Sequence, residues 1–139
     1  MKILVSACLI GENCKYNGGN NYNQNVMDYI KGHEVISVCP EVMAGLGAPR
    51  DSAELVDGVV RTKTGRDIDS EFRYGVSLAM EYAKKENIDL AILQSRSPTC
   101  GVNQIYDGSF QGKLIQGKGI FVAALEDAGY QVMDAEDLV

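Results

Sequence analysis

Three cysteines of this chain stand at the ends of apolar runs that read as β-strands. Cys8 follows Ile3-Leu4-Val5-Ser6-Ala7, Cys39 follows Val35-Ile36-Ser37-Val38, and Cys100 lies in the loop after Leu90-Ala91-Ile92-Leu93-Gln94. A parallel sheet gathers the carboxyl ends of its strands along one edge, where open α/β folds bind their ligands. Thiols distant in sequence would then meet at one place. The loop Ser95-Arg96-Ser97-Pro98-Thr99-Cys100-Gly101 adds hydroxyls to that edge, and Cys39-Pro40-Glu41 adds a carboxylate close to a thiol. Cys39 would also open a helix with Pro in its first turn, a setting that favours the thiolate, the form that binds metal or attacks an electrophile.

Cysteines so isolated differ from the Cys-x-x-Cys pairs of zinc fingers and thioredoxins. His33 is the single histidine, which disfavours catalytic zinc; thiolate ligation favours an iron-sulfur cluster, or a structural zinc held by all four cysteines, Cys14 included. A 4Fe-4S cluster on three thiolates leaves one iron open as a Lewis acid. Glu41 and Ser97, beside two of the thiols, could move protons and orient water. Plainer readings compete. Free cysteines often serve as small buried hydrophobes, and a carboxylate just after a strand can be a helix-end charge. A thiol redox enzyme working through Cys39 lacks an adjacent resolving cysteine.

The elements that must position these residues follow from periodicity and turn chemistry. Residues 8–21 hold too many Gly and Asn for a regular element and read as a loop, in which Gly18, Gly19, Asn20 and Asn21 would let backbone and amide groups approach a ligand. Val26, Met27, Tyr29 and Ile30 keep helical spacing between an Asn23 or Asn25 cap and Gly32. Asp57-Gly58 between Leu55-Val56 and Val59-Val60 predicts a β-hairpin. Its charged neighbours Arg50, Asp51, Arg61, Lys63, Arg66 and Asp67 could rim a site or be solvated decoration. Asp69 to Asn87 predicts the longest helix, capped by Asp69 or Ser70, with an apolar stripe of Phe72, Val76, Leu78, Ala79, Tyr82 and Ala83 packed on the sheet. Residues 101–118 offer little pattern and read as a mobile lid. A helix over 119–129 and a last strand over Tyr130 to Met133 complete the chain. This order predicts one α/β domain over residues 1–139: a Rossmann-like three-layer sandwich with a mainly parallel sheet, right-handed crossovers and a β-hairpin excursion.

Bulk composition excludes several classes. The 139 residues are 45% hydrophobic and 23% charged, as in ordinary globular domains, and no apolar run approaches the ~20 residues that span a bilayer. With 13 Lys+Arg against 19 Asp+Glu, the net charge of -6 argues against a nucleic-acid footprint and for a small ligand. The apolar run at Met1 is too short for a signal peptide and reads as a first strand, so the expectation is a cytoplasmic protein with reduced thiols. Neither Gly-x-Gly-x-x-Gly after the first strand nor a Walker loop occurs.

The motifs Val5-Ser6-Ala7-Cys8-Leu9-Ile10-Gly11, Cys14-Lys15-Tyr16-Asn17-Gly18-Gly19, Cys39-Pro40-Glu41, Gly45-Leu46-Gly47, Pro49-Arg50 and Ser97-Pro98-Thr99-Cys100-Gly101 run through the chain in order. By them the chain resembles the thiouracil desulfidase (TudS)-like family of small bacterial proteins, long a domain of unknown function. The resemblance implies a 4Fe-4S cluster on Cys8, Cys39 and Cys100, with Cys14 outside the ligand set and Glu41 and Ser97 as proton-transfer residues. It implies non-redox removal of sulfur from 2-thiouracil or a related thiolated base, with hydrogen sulfide released. The alternative of another class is a non-catalytic metal- or iron-sulfur-binding protein, a sensor or sulfur carrier.

Overall fold

The computed structural model describes residues 1–138. In chain order its elements are β1 (Lys2–Ser6), α1 (Gln24–Ile30), β2 (Glu34–Val38), α2 (Pro40–Met43), β3 (Ala53–Val56), β4 (Val59–Thr62), α3 (Asp69–Glu86), β5 (Leu90–Leu93), β6 (Gln104–Tyr106), β7 (Leu114–Gln116), α4 (Ile120–Asp127) and β8 (Val132–Asp134). The central sheet has the order β2-β1-β5-β8 with every pairing parallel. Strands buried on both faces need continuous apolar runs, as β1 supplies over Ile3, Leu4 and Val5 and β5 along its whole length.

Alternation along these strands divides the core in two. Leu4, Ala91 and Leu93 face α3 and α4, where they pack with Val76, Ala79, Phe121 and Leu125. Ile3, Val5, Leu90 and Ile92 face the other way, onto Leu9, Val26 and Ile30. The result is the expected mixed α/β sandwich of three layers, thinner on the side of α1. The β3–β4 hairpin turns at Asp57-Gly58 with φ of +50° and +80°, the left-handed pair that suits strand twist, and it packs through Val60 on Ile68 and Phe72 at the start of α3.

Several local expectations shift. Residues 101–118, read as patternless, carry a second antiparallel hairpin, β6–β7; strands of three residues are too short for alternation to register. Asp69 does not cap its own helix: its Oδ1 accepts from the Val60 N–H at 3.0 Å, tying the first hairpin to α3, whose cap is Ile68. The last strand lies at Val132–Asp134, because Asp134 then accepts from the Glu136 N–H and starts a 3-10 turn over Ala135–Asp137. Asn23 caps α1 as expected, accepting from the Val26 N–H at 3.2 Å. Asn23→Ala should cost about 1 kcal/mol of stability, read as a lower urea midpoint at unchanged slope. Among the described residues no helix is long and apolar enough to cross a membrane.

Candidate functional site

The carboxyl ends of β2, β1 and β5 are neighbours, with Ser6 beside Val38 and Val5 beside Ile92. The chain leaves β1 through a 3-10 turn over Ala7–Ile10, stopped by Gly11 at φ +98°, and this turn carries Cys8. It leaves β2 through Cys39, the N-cap residue of α2, with Pro40 in the first turn. It leaves β5 into the Ser95–Gly101 loop. Ser6 Oγ joins two of these exits by accepting from the Gln94 N–H at 3.0 Å, and the Ser6 hydroxyl partly offsets the burial that raises the Cys100 thiol. Cys8, Cys39 and Cys100 line one cavity of about 530 Å³, and Cys14 lines it too. All four are free thiols.

The thiols are electrostatically unequal. The Cys14 thiol, helped by the Asn21 amide donating to Cys8 Sγ at 3.5 Å, pulls Cys8 down to about 7 against the opposing effect of burial. Cys14 is pushed far up, because its proton serves Cys39 and Cys8 and burial disfavours its charge. Burial raises Cys100, and the Glu41 charge adds to that. Cys39 Sγ donates to Glu41 Oε2 at 3.3 Å, while Thr99 Oγ1 donates to Glu41 Oε1 at 2.8 Å. Glu41 is buried, 8% exposed, and has no ion-pair partner among the described residues. A carboxylate so placed is unfavourable for stability unless its hydrogen bonds compensate.

Ser97 lines the cavity, but its Oγ accepts from the backbone N–H groups of Thr99 and Cys100 at 3.0 and 3.1 Å. It thus folds the loop that carries Cys100, and the hydroxyl on Glu41 belongs to Thr99. Of the residues expected to approach a ligand, Gly18, Gly19 and Asn20 do not line this cavity. Their polar groups close the loop on itself, Gly18 N–H to Lys15 O, Gly19 N–H to Asn17 Oδ1 and Asn20 Nδ2 to Asn13 Oδ1, and the amide presented to the thiols is that of Asn21. Of the charged residues around the first hairpin, Arg50, Asp51 and Lys63 reach the cavity, joined by Glu54, whereas Arg61, Arg66 and Asp67 lie away from it. Asn21 belongs to the segment expected to bring amide groups to a ligand, whereas the contacts of Thr99 with Glu41 and of Ser6 with Gln94 were not read from the sequence.

Packing fixes the arrangement. A Cβ on Gly75 of α3 would stand 1.9 Å from the carbonyl oxygen of Pro40, so only glycine lets α3 carry α2, and with it Cys39 and Glu41. Gly75→Ala should destabilise the fold by about 1–3 kcal/mol, seen as a lowered unfolding midpoint of the metal-free protein.

Among the described residues no three His, Cys, Asp or Glu side chains stand close enough to hold a single metal ion. Thiols that line one cavity are the donors an iron-sulfur cluster takes.

Known proteins agree with this chemistry. The profile of the 2-thiouracil desulfurase family matches residues 3–137. A relative from Bacillus subtilis (strain 168), the uncharacterized protein YbbK, is 34% identical over 146 residues, covering 98% of this chain and 97% of its own length. The solved structure of the 4Fe-4S-dependent thiouracil desulfidase TudS superposes with a TM-score of 0.92 at 37% identity, covering 99% of this chain and 92% of that one. With its cysteine motifs, its sheet and its cavity all accounted for, the chain belongs to the 2-thiouracil desulfurase family.

Proposed function

We propose that this protein is a desulfidase that takes the sulfur from 2-thiouracil or a related small thiolated base and releases it as hydrogen sulfide, in a non-redox reaction that depends on a 4Fe-4S cluster. The observation that carries this reading is a buried carboxylate, Glu41, in a cavity lined by sulfur donors and large enough for a small molecule. Cys8, Cys39 and Cys100 would hold the cluster, with Cys14 outside the ligand set. When bound, the cluster supplies a Lewis acid for the thiocarbonyl sulfur.

The chain's own residues supply the rest. Water and the C=S group together become C=O and hydrogen sulfide, so the water oxygen goes to the ring carbon, both its protons go to sulfur, and no electrons are exchanged. Glu41 Oε2, on the side of Cys39, would take a proton from the attacking water and return it to the departing sulfur, a role supported by its contact with that thiol. Ser97, whose oxygen is occupied by backbone N–H groups, retains its hydroxyl proton for donation towards the cavity. The Asn21 amide and the Cys14 thiol steady Cys8 as a thiolate, the form a metal requires.

Oxygen-free reconstitution followed by incubation with a panel of thiolated bases tests the reading. The expected result is sulfide and the oxo-base in equal amounts, from cluster-loaded protein only. A loaded protein that releases no sulfide from any of them would instead be the non-catalytic cluster binder.

A further inference from the structure

The geometry points to Thr99 as the positioning residue for the proton-exchanging carboxylate: its hydroxyl fixes Glu41 by way of Oε1 and so keeps Oε2 turned to the thiols. The inference rests on the proton-transfer role of Glu41 given above. Thr99 is 0% exposed and does not line the cavity, so its hydroxyl touches no substrate. Its side-chain partner is Glu41 Oε1, 2.8 Å away and fifty-eight residues distant in sequence.

The backbone of Thr99 is held from three sides. Its N–H donates to Ser97 Oγ at 3.0 Å, and its carbonyl accepts from the N–H groups of Phe121 and Val122 at 3.0 and 3.4 Å. Pro98 O accepts from the Ile120 N–H at 2.9 Å. The first N–H groups of α4, which no intrahelical carbonyl can satisfy, are thus spent on this loop. Gly119 packs so closely that a Cβ there would lie 2.3 Å from the carbonyl carbon and oxygen of Thr99. The hydroxyl is therefore carried by a rigid element rather than a mobile loop.

Thr99 matters most in the loaded protein. A thiol that ligates metal has lost its proton. Cys39 then no longer donates to Oε2, and of the two side-chain donors on Glu41 only Thr99 remains. An untethered carboxylate would rotate, and its proton-exchanging oxygen would spend less time in reach of the reacting atoms.

The test compares Thr99→Val, which keeps the shape and removes the hydroxyl, with Thr99→Ser, which restores it. In reconstituted protein Thr99→Val should lower kcat about 10- to 100-fold, the range found when groups that orient a reacting residue are removed, with KM unchanged. Iron content and visible absorption should match the parent, and Thr99→Ser should recover most of the rate. In a Glu41→Gln background Thr99→Val should add no further loss, and Thr99→Ala carries the same expectation should the valine variant not fold. Full kcat in the hydroxyl-free variants overturns the proposal. So does a loss of iron or of thermal stability that accounts for the lost rate, or a loss that adds undiminished to that of Glu41→Gln. If Glu41→Gln alone is fully active, it is the function of Glu41 that fails, a separable result.

Discussion

Cys8→Ser, Cys39→Ser and Cys100→Ser should each emerge colourless from anaerobic reconstitution and release no sulfide, whereas Cys14→Ser should keep its colour. Serine preserves size but offers no thiolate, and iron-sulfur clusters are held by thiolates. The first three lie at the exits of adjacent strands, on a 3-10 turn, on a helix cap and in a hydroxyl-braced loop. Cys14 lies in the long loop after β1, and its proton is engaged by Cys39 and Cys8. A serine at that position keeps a hydroxyl proton to donate, so loading should proceed without the Cys14 sulfur. Iron and sulfide analysis with the visible spectrum decides the matter: a bleached Cys14→Ser, with iron retained in any of the other three, would mean that the ligand set is wrong.

Glu41→Gln should retain iron and colour yet lose about 10²- to 10⁴-fold in kcat, the usual contribution of a positioned proton-transfer group. The amide has the carboxylate's shape and its oxygen can still accept from Thr99, so the turn of α2 that bears Cys39 has no reason to move. What disappears is an atom able to take a proton. Because the parent carboxylate is buried without a cation, the neutral replacement should leave stability unchanged or slightly improved. Separate measurement of unfolding and turnover checks both halves. A variant of parental activity would exclude Glu41 from the chemistry.

The sheet was readable because β1 and β5 are continuous apolar runs, and because Asp57-Gly58 is the dipeptide a tight hairpin needs. The β6–β7 hairpin was not, since three-residue strands with an exposed face leave almost no periodic trace. The candidate thiols were found from their strand ends, a property of chain order alone. Their neighbours were harder, because Thr99 meets Glu41 through tertiary folding and nothing local marks the pair. Gly18, Gly19 and Asn20 have the composition of a binding loop, and in the fold their hydrogen bonds are made locally. Gly75 gave no hint of its importance, because a glycine inside a helix pattern reads only as a mild weakness until the oxygen against it is seen.

The N–H groups of residues 119–122 that hold the Cys100 loop also impose an order on biosynthesis. On the ribosome the first two strand-end cysteines emerge early, yet the third cannot settle until the chain has grown well beyond it and α4 has formed. Metal delivery to a nascent polypeptide would meet an incomplete set of donors. Maturation of this protein should therefore follow translation, acting on a finished chain whose pocket is already shaped to receive its inorganic guest.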